Sequence, residues 1–189
     1  MRRNLITAVL YTVVTTVLFG LIYPLVVTGL AQLLFHDKAN GQLLYKNGEL
    51  VGSRIIGQPF SAPQYFHSRP SAAGNGYDAA NSSPSNYGPT NKKLIDRVAG
   101  DVTSLQADHQ SSDVPVDLVT ASGSGLDPDI TPAAAEFQVA RVARERRLPE
   151  DAVRRLVSAH TQKRQLGFLG EPRVNVLLLN MDLDQMGSN

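Results

Sequence analysis

The chain has 189 residues, with 18 lysines and arginines against 17 aspartates and glutamates, a formal net charge of +1, and no cysteine. The near-neutral balance argues against a general nucleic-acid-binding protein, whose surface is strongly basic, and the lack of cysteine excludes disulfides, cysteine nucleophiles, zinc–thiolate sites and iron–sulfur clusters. Because 42% of the residues are hydrophobic and 19% are charged, the chain as a whole is not expected to be disordered.

The first predicted element is a transmembrane helix. The sequence from Leu5 to Phe35 holds no charged residue, and about 20 apolar residues are enough to cross a hydrocarbon core of ~30 Å. We assign residues 1–9 to a short cytoplasmic N-terminus, 10–35 to the transmembrane helix and 36–189 to an external domain. Two arginines precede the run, and the positive-inside rule therefore places the N-terminus in the cytoplasm. A cleaved signal peptide is the alternative, but its apolar region is only about 7–15 residues long.

Two features of the span bear on its packing. Pro24 lies within the run and predicts a kink. Thr12, Thr15, Thr16 and Gly20 provide small positions on neighbouring turns, which favours contact with a partner helix. The alternative is a lone anchor whose threonines bond back to their own helix.

The first half of the external domain is predicted to be mostly irregular. Asn47-Gly48 between Leu43–Tyr45 and Leu50–Ile56 predicts a hairpin with a type I′ turn. Residues 57–91 are rich in Pro, Ser, Asn and Gly and show almost no helical periodicity. An amphipathic helix is predicted at 91–107, and residues 108–113 form a polar linker. The side of this helix expected to pack carries Leu94, Ile95, Val98, Val102 and Leu105.

The second half alternates strand and helix signals. Val114–Thr120 predicts a strand, and the segment 127–129 is expected to cap the helix that follows. Thr131-Pro132 predicts the start of that helix, which runs to about Arg146, and Pro149 opens a second helix. The first helix is expected to bury Phe137, Val139, Ala140, Val142 and Ala143, and the second Val153, Leu156 and Val157. The last segment, 174–183, fits either a helix or a buried strand.

Motifs for catalysis or metal binding are weak. Ser122 and Ser124 lie in a glycine-rich turn, but neither has the flanking glycines of a hydrolase nucleophile elbow. The four histidines stand at no common ligand spacing, and no phosphate-binding loop is present. The helical segment 132–164 has eight basic residues against four acidic ones. A helix–turn–helix is one interpretation of this segment, whereas a solvated helical face explains the charges more simply.

Several longer motifs resemble one family. The segment Tyr65-Phe66-His67-Ser68-Arg69-Pro70-Ser71-Ala72 is similar to the Tyr-Phe-x-x-Arg-Pro-Ser motif of the C subunit of the Kdp high-affinity potassium-transporting ATPase. Similar matches occur at 114–127, at 130–136, at His160-Thr161 and at 170–180. Together with the span and the hairpin they cover essentially the whole chain in order. The sequence is therefore identified as a member of this family.

The resemblance implies a non-catalytic subunit of an inner-membrane complex. Its implied partners are a channel-like potassium-translocating subunit, a P-type subunit that hydrolyses ATP, a small peptide subunit and membrane lipid, with no nucleic acid. The family is described as a catalytic chaperone that raises the ATP affinity of the hydrolysing subunit, so ATP is implied for the complex. The implied fold class is α+β, a single N-terminal transmembrane helix followed by a periplasmic mixed α/β domain.

The expected role is assembly or gating from outside the membrane, with no catalytic or metal-binding residue in this chain. Tyr65, Phe66 and Arg69 are predicted to be exposed contacts with a partner subunit. The alternative for these three residues is that they stabilise the domain. The alternative for the whole protein is a membrane-anchored periplasmic hydrolase that uses Ser122 or Ser124, and a single-span sensor is a third possibility.

Overall fold

The structure is a computed structural model that describes residues 1–109 and 113–186. The chain divides into two compact units, Met1–Val51 and Gly52–Asn189. Of the polar linker predicted at 108–113, residues 110–112 lie outside the described part of the chain, and residues 108–109 belong to a helix instead.

The first unit is dominated by a long apolar helix, Arg2–Leu34. It comprises α1 (Arg2–Val17), a π-helical segment (Leu18–Ile22) and α2 (Tyr23–Leu34), and none of its residues is buried within the chain. Among the described residues this helix alone is long and apolar enough to cross a membrane. Residues 10 and 35 are the predicted boundaries of the part that lies in the membrane, and these boundaries stay a prediction.

Three threonines of this helix bond to its own backbone. The hydroxyls of Thr7, Thr12 and Thr15 donate to backbone carbonyls four residues earlier, at 2.8–3.0 Å. Pro24 has no N–H to offer the carbonyl of Gly20, and the π-helical segment lies directly before it. A π-helical turn is a common response to a missing backbone hydrogen bond within an α-helix. This one lies next to the proline at which the sequence predicts a kink.

The predicted hairpin is confirmed. After a single helical turn α3 (His36–Ala39), β1 (Leu43–Lys46) pairs with β2 (Glu49–Ser53). Asn47 and Gly48 have φ values of 54° and 85°, as a type I′ turn requires. The second strand ends at Ser53 rather than at Ile56, because the amide of Ile56 turns back to the carbonyl of Ser53 at 3.3 Å.

The second unit combines helices with a small antiparallel sheet, so the mixed α/β domain is confirmed. The sheet has the strand order β3-β5-β4, with Val174 of the central strand opposite both Ile130 and Thr161. Short 3₁₀ turns occur at Ala79–Asn81 and Val116–Leu118. The longer elements are α4 (Lys92–His109), β3 (Asp129–Ile130), α5 (Pro132–Arg146), α6 (Glu150–His160), β4 (Thr161–Gln162), β5 (Arg173–Asn175) and α7 (Val176–Met186).

The core forms where α5, α6 and α7 pack together around β5. Thr131 caps α5 as predicted, since its hydroxyl accepts from the amide of Ala134 at 3.1 Å. Glu150 and Asp151 begin α6, also as predicted. The buried cluster consists of Phe66, Leu118, Ile130, Ala134, Ala135, Val139, Val142, Ala143, Val153, Val157, Val174, Val176, Leu179 and Leu183.

Three sequence predictions in this unit are wrong. The strand predicted at Val114–Thr120 is a 3₁₀ turn, in which the neighbours Leu118 and Val119 are both buried while Val116 is 68% exposed. Pro115 precedes this turn with φ −58°, and the carboxylate of Asp117 accepts from the amide of Thr131 at 2.7 Å, which holds the turn. Burial of adjacent residues excludes the alternating pattern of a strand.

The other two errors concern helix ends and faces. The segment 127–129 does not cap α5, because Asp129 lies in β3 and the cap is Thr131. Ala140 on α5 and Ile95 on α4 point to solvent rather than to the core. The ambiguous last segment uses both structures in turn, with strand β5 ending at Asn175 and helix α7 starting at Val176.

Candidate functional site

The family-like motif is held in the core of the second unit by a buried amide. Phe66 is fully buried, and its backbone makes two hydrogen bonds to the side chain of Asn180 on α7. The amide of Phe66 donates to Oδ1 at 2.9 Å, and Nδ2 of Asn180 donates to the carbonyl of Phe66, also at 2.9 Å. Asn180 therefore replaces the strand neighbour that this irregular backbone lacks.

A second amide holds the next residue in the same way. Gln138 on α5 accepts from the amide of His67 at 2.7 Å and donates to its carbonyl at 3.1 Å. Arg141, one turn further along α5, donates to Oε1 of Gln138 at 2.7 Å and to the carbonyl of Tyr65 at 3.0 Å. We call this arrangement the amide clamp, formed by Asn180, Gln138 and Arg141. It fixes an irregular stretch of backbone to two helices, α5 and α7.

Tyr65 lies on the outer side of the amide clamp. Its ring packs against Phe60, with centroids 5.5 Å apart, and the guanidinium of Arg146 lies 4.7 Å from its centre. Arg146 also pairs with Asp184 at 2.8 Å and donates to the carbonyl of Gln64. These contacts leave Tyr65 half-buried and fixed in position.

Arg69 connects the motif to the loop before β3. Its Nη1 lies 2.9 Å from Oδ2 of Asp127, and its Nε and Nη2 donate to the carbonyl and hydroxyl of Thr120 at 3.3 and 3.4 Å. The hydroxyl of Tyr77 donates to the carbonyl of Arg69 at 2.6 Å. Burial raises the pKa of Tyr77, while its hydrogen bond to Ser68 acts in the opposite direction. Arg69 is thus a half-buried cross-link between segments far apart in sequence.

The glycine-rich turn at 121–125 docks on the same segment. Ser71 donates to the carbonyl of Gly125 at 2.6 Å, and the amide of Ser83 donates to the carbonyl of Ser124 at 3.1 Å. Gly125 has φ 68°, and a Cβ there would lie 2.7 Å from the amide nitrogen of Ala73. Both the positive φ and the lack of space for a Cβ therefore require glycine at this position.

Three clefts meet at Arg69, with volumes of about 550, 580 and 350 Å³. The first also has Arg97, Arg141 and His67 in its wall, together with Asp101. The second is lined by the turn that carries Ser122 and Ser124, and the third by four acidic side chains with Arg173. The acidic residues of the third cleft are Asp117, Asp127, Asp129 and Glu171.

The charges around these clefts are compensated within the domain. Arg97 pairs with Asp101 at 2.6 Å and Arg173 with Asp129 at 3.0 Å. Burial raises the pKa of Asp129, and the charge of Arg173 opposes that rise. Within residues 1–109 and 113–186, no group of three His, Asp or Glu residues is placed to hold a metal ion, and no buried side-chain polar atom lacks a partner.

The two serines of the glycine-rich turn serve the turn itself. Oγ of Ser122 accepts from the amide of Gly125 at 2.9 Å, and Oγ of Ser124 accepts from the amide of Leu126 at 3.1 Å. Such local side-chain to backbone bonds stabilise turns. The geometry gives no support to a serine hydrolase.

Several basic residues of the helical segment 132–164 are likewise paired within the domain. Arg154 contacts Glu136 at 2.7 Å and Asp151 at 3.0 Å, and Glu136 is the main cause of its raised pKa. Arg141 is buried in the amide clamp, and Arg146 is paired with Asp184. Several of the charges that look like one basic face in the sequence thus belong to separate structural contacts.

The structure changes the interpretation of the predicted contact residues. Phe66 is fully buried, so the expectation that it is exposed is wrong, because its ring fills the core and its backbone is held by Asn180. Tyr65 and Arg69 are half-buried, and their contact with a partner stays a prediction. Sequence reasoning missed Asn180 and Gln138, although a polar amide within the apolar stripe of a helix was an available signal.

Comparison with known proteins identifies the family. The family model of KdpC, described as the c chain of the K+-transporting ATPase, matches residues 5–185. A relative from Koribacter versatilis is 67% identical over 184 residues, covering 97% of this chain and 95% of the relative. A relative from Acidobacterium capsulatum is 58% identical, covering 97% and 99% of the two chains. One from Mycobacterium tuberculosis is 52% identical, covering 98% and 100%. Each of these relatives is named a potassium-transporting ATPase KdpC subunit. Since the model and the relatives match over almost the whole length, the chain belongs to the KdpC family, the c chain of the K+-transporting ATPase.

Proposed function

We propose that this chain is a non-catalytic assembly and gating subunit of a potassium-transporting ATPase in the bacterial inner membrane. The observation that carries the proposal is the full-length match to relatives named as KdpC subunits of such an ATPase. ATP hydrolysis and potassium translocation then belong to larger partners, a P-type subunit and a channel-like subunit. A small peptide subunit completes the complex.

The long N-terminal helix supports an intramembrane role in assembly. It exposes apolar side chains along its whole length, and the hydroxyls of Thr7, Thr12 and Thr15 are already bonded to its own backbone. A helix of this kind needs lipid or a neighbouring helix around it rather than water. Within the complex it packs against the membrane-spanning part of a partner subunit.

The proposed topology places the folded unit in the periplasm. Arg2 and Arg3 precede the apolar helix, which favours a cytoplasmic N-terminus. ATP is cytoplasmic, so the chain raises the ATP affinity of the hydrolysing subunit only by shifting a conformational equilibrium across the membrane. The folded unit acts near the site where potassium enters.

Purification of the tagged full chain in mild detergent tests the assembly role. We expect the large partners to co-purify, together with potassium-stimulated ATPase activity. Replacement of residues 5–35 by an unrelated apolar span should abolish both, whereas a tag alone should not. Recovery of the chain without partners would overturn the proposal.

Thiol labelling tests the topology, since the chain contains no cysteine. A cysteine at the exposed position Ala140 should react with a membrane-impermeant maleimide in spheroplasts. Asn4→Cys is the matched control and should react only after permeabilisation. The reverse pattern would place the folded unit in the cytoplasm and would remove the reason for excluding direct ATP contact.

A further inference from the structure

The connection between β4 and β5 is a projecting hairpin with an apolar end. Residues 162–171 are all exposed or nearly so, with no member of this stretch in the core. Within it, Leu166, Phe168 and Leu169 expose 83%, 69% and 47% of their surface. We call residues 163–171 the hairpin tip. Three large apolar side chains side by side in water carry a substantial free-energy penalty, which indicates that another surface covers them.

The backbone of the hairpin tip is closed on itself. Gln165 and Leu169 exchange two hydrogen bonds of 2.9 Å, and the amides of Gly167 and Phe168 bond to the carbonyls of Arg164 and Gln165. The positive φ values of Leu166 and Gly167, 53° and 84°, make this tight turn possible. Because these amides already have partners, the turn can enter an apolar environment without leaving them unpaired.

Basic residues flank the apolar end. Lys163 and Arg164 lie shortly before it, and Arg173 follows but is paired with Asp129 at 3.0 Å. Arg164 and Glu171 form an ion pair of 2.5 Å across the base of the tip. Lys163 is therefore the flanking cation for which the described residues show no ion pair, and an apolar end beside such a cation matches the requirements of an anionic lipid interface.

We propose that the hairpin tip inserts Leu166, Phe168 and Leu169 into the interfacial region of the bilayer, as a second membrane contact of this chain. The N-terminal helix keeps the domain at a membrane surface, so that even a weak preference of the tip for lipid is converted into steady occupancy. The inference concerns the chain and its bilayer, and it is independent of the proposed gating role.

A lipid-quenching experiment on the full chain tests the inference. Phe168→Cys is labelled with an environment-sensitive fluorophore and reconstituted in vesicles of phosphatidylcholine and phosphatidylglycerol that contain nitroxide-labelled lipid. We expect a blue-shifted emission and quenching several-fold stronger than for the same label at the exposed Ala140→Cys. Equal quenching at the two positions would overturn the proposal.

The same labels in the assembled ATPase complex separate lipid from a partner protein. Quenching at position 168 should persist in nanodiscs that contain the complex. If the complex abolishes it, a subunit covers the tip and the lipid proposal is wrong. A variant with Lys163→Gln and Arg164→Gln should bring the label less deeply into anionic vesicles, with little change in vesicles of phosphatidylcholine alone. An unchanged dependence on anionic lipid would contradict the electrostatic part of the proposal.

Discussion

Two irregular stretches of the folded unit use their aromatic residues in opposite ways. In the segment 57–91, Phe66 fills the core and Tyr65 packs between Phe60 and Arg146. In the hairpin tip, Phe168 points to solvent with neighbours of similar exposure. Phe66, which looks like part of a contact surface in the sequence, is therefore structural, and a cluster of exposed apolar side chains lies about a hundred residues later in the chain.

The difference follows from how each stretch satisfies its backbone. Within the segment 57–91, the backbone of Phe66 and His67 takes its partners from side chains of α7 and α5, which holds this part of the segment against the core. The hairpin tip bonds its own amides and needs no support from other elements. A stretch whose backbone is held by core side chains buries its own side chains, as at Phe66, whereas a self-contained loop is free to present them.

The largest expected effect tests the comparison directly. Phe66→Ala should lower the free energy of unfolding by about 3–5 kcal/mol, because it removes a fully buried ring. Phe168→Ala deletes the same atoms from a side chain that is 69% exposed, and should change stability by less than about 0.5 kcal/mol. Urea unfolding of the full chain in detergent, followed by circular dichroism, measures both. Equal losses for the two variants would invalidate the comparison.

Loss of a contact in the amide clamp should have the next largest effect on the free energy of unfolding. Asn180→Ala leaves the buried amide and carbonyl of Phe66 without partners, which should cost about 2–4 kcal/mol in the same unfolding measurement. Gln162→Ala removes a side-chain amide from an exposed position and serves as the control, with an effect near zero. If Asn180→Ala is as mild as the control, water replaces the amide and the segment is not held by it.

The Arg69 cross-link should contribute less. Arg69→Ala removes a partly exposed ion pair and two bonds to Thr120, and we expect a loss of about 1–2 kcal/mol. The exposed pair of Lys92 and Asp96 provides the control, since Lys92→Ala should cost less than about 0.5 kcal/mol. Unaltered stability of Arg69→Ala, combined with loss of partner co-purification, would instead favour the predicted contact role of Arg69.

Much of the fold could be predicted from local signals. The apolar helix, the Asn47-Gly48 turn and the Thr131 cap each depend on neighbouring residues, and each is found where the sequence predicts it. The strand predicted at Val114–Thr120 was wrong because the decisive contact, from Asp117 to Thr131, is fourteen residues away. The apolar alternation alone could not reveal it.

The candidate site could be predicted only in part for the same reason. The motif around Tyr65 and Arg69 was visible as a family resemblance, but its burial depends on Asn180, more than a hundred residues later. Composition showed that aromatic residues interrupt an irregular segment, which is compatible with burial and with partner contact alike. The three-dimensional arrangement shows that Phe66 is buried, while the contact of Tyr65 and Arg69 with a partner stays a prediction.

The smallest expected effect concerns two carboxylates, one in the irregular segment 57–91 and one in the sheet. Asp78, within the segment 57–91, has a pKa lowered from 3.8 by hydrogen bonds from Asn81 and Ala80. The ionised carboxylate of Asp78 therefore stabilises the fold at pH values above 3.8. This stabilisation is lost as the pH falls from 3.8 through the lowered pKa. Asp129 in β3 has a pKa raised from 3.8, mainly by burial, so the folded state retains its proton to a higher pH and loses stability as the pH rises through that range.

Asp78→Asn should therefore make the decline in unfolding free energy shallower as the pH is lowered from neutral to below 3.8, and Asp129→Asn should make it steeper. The charge of Arg173 already contributes to the pKa of Asp129, so the slope change includes the loss of this ion pair, and its sign is the readout. Slope changes of the same sign in both variants would show that the loop carboxylate and the sheet carboxylate lie in equivalent environments.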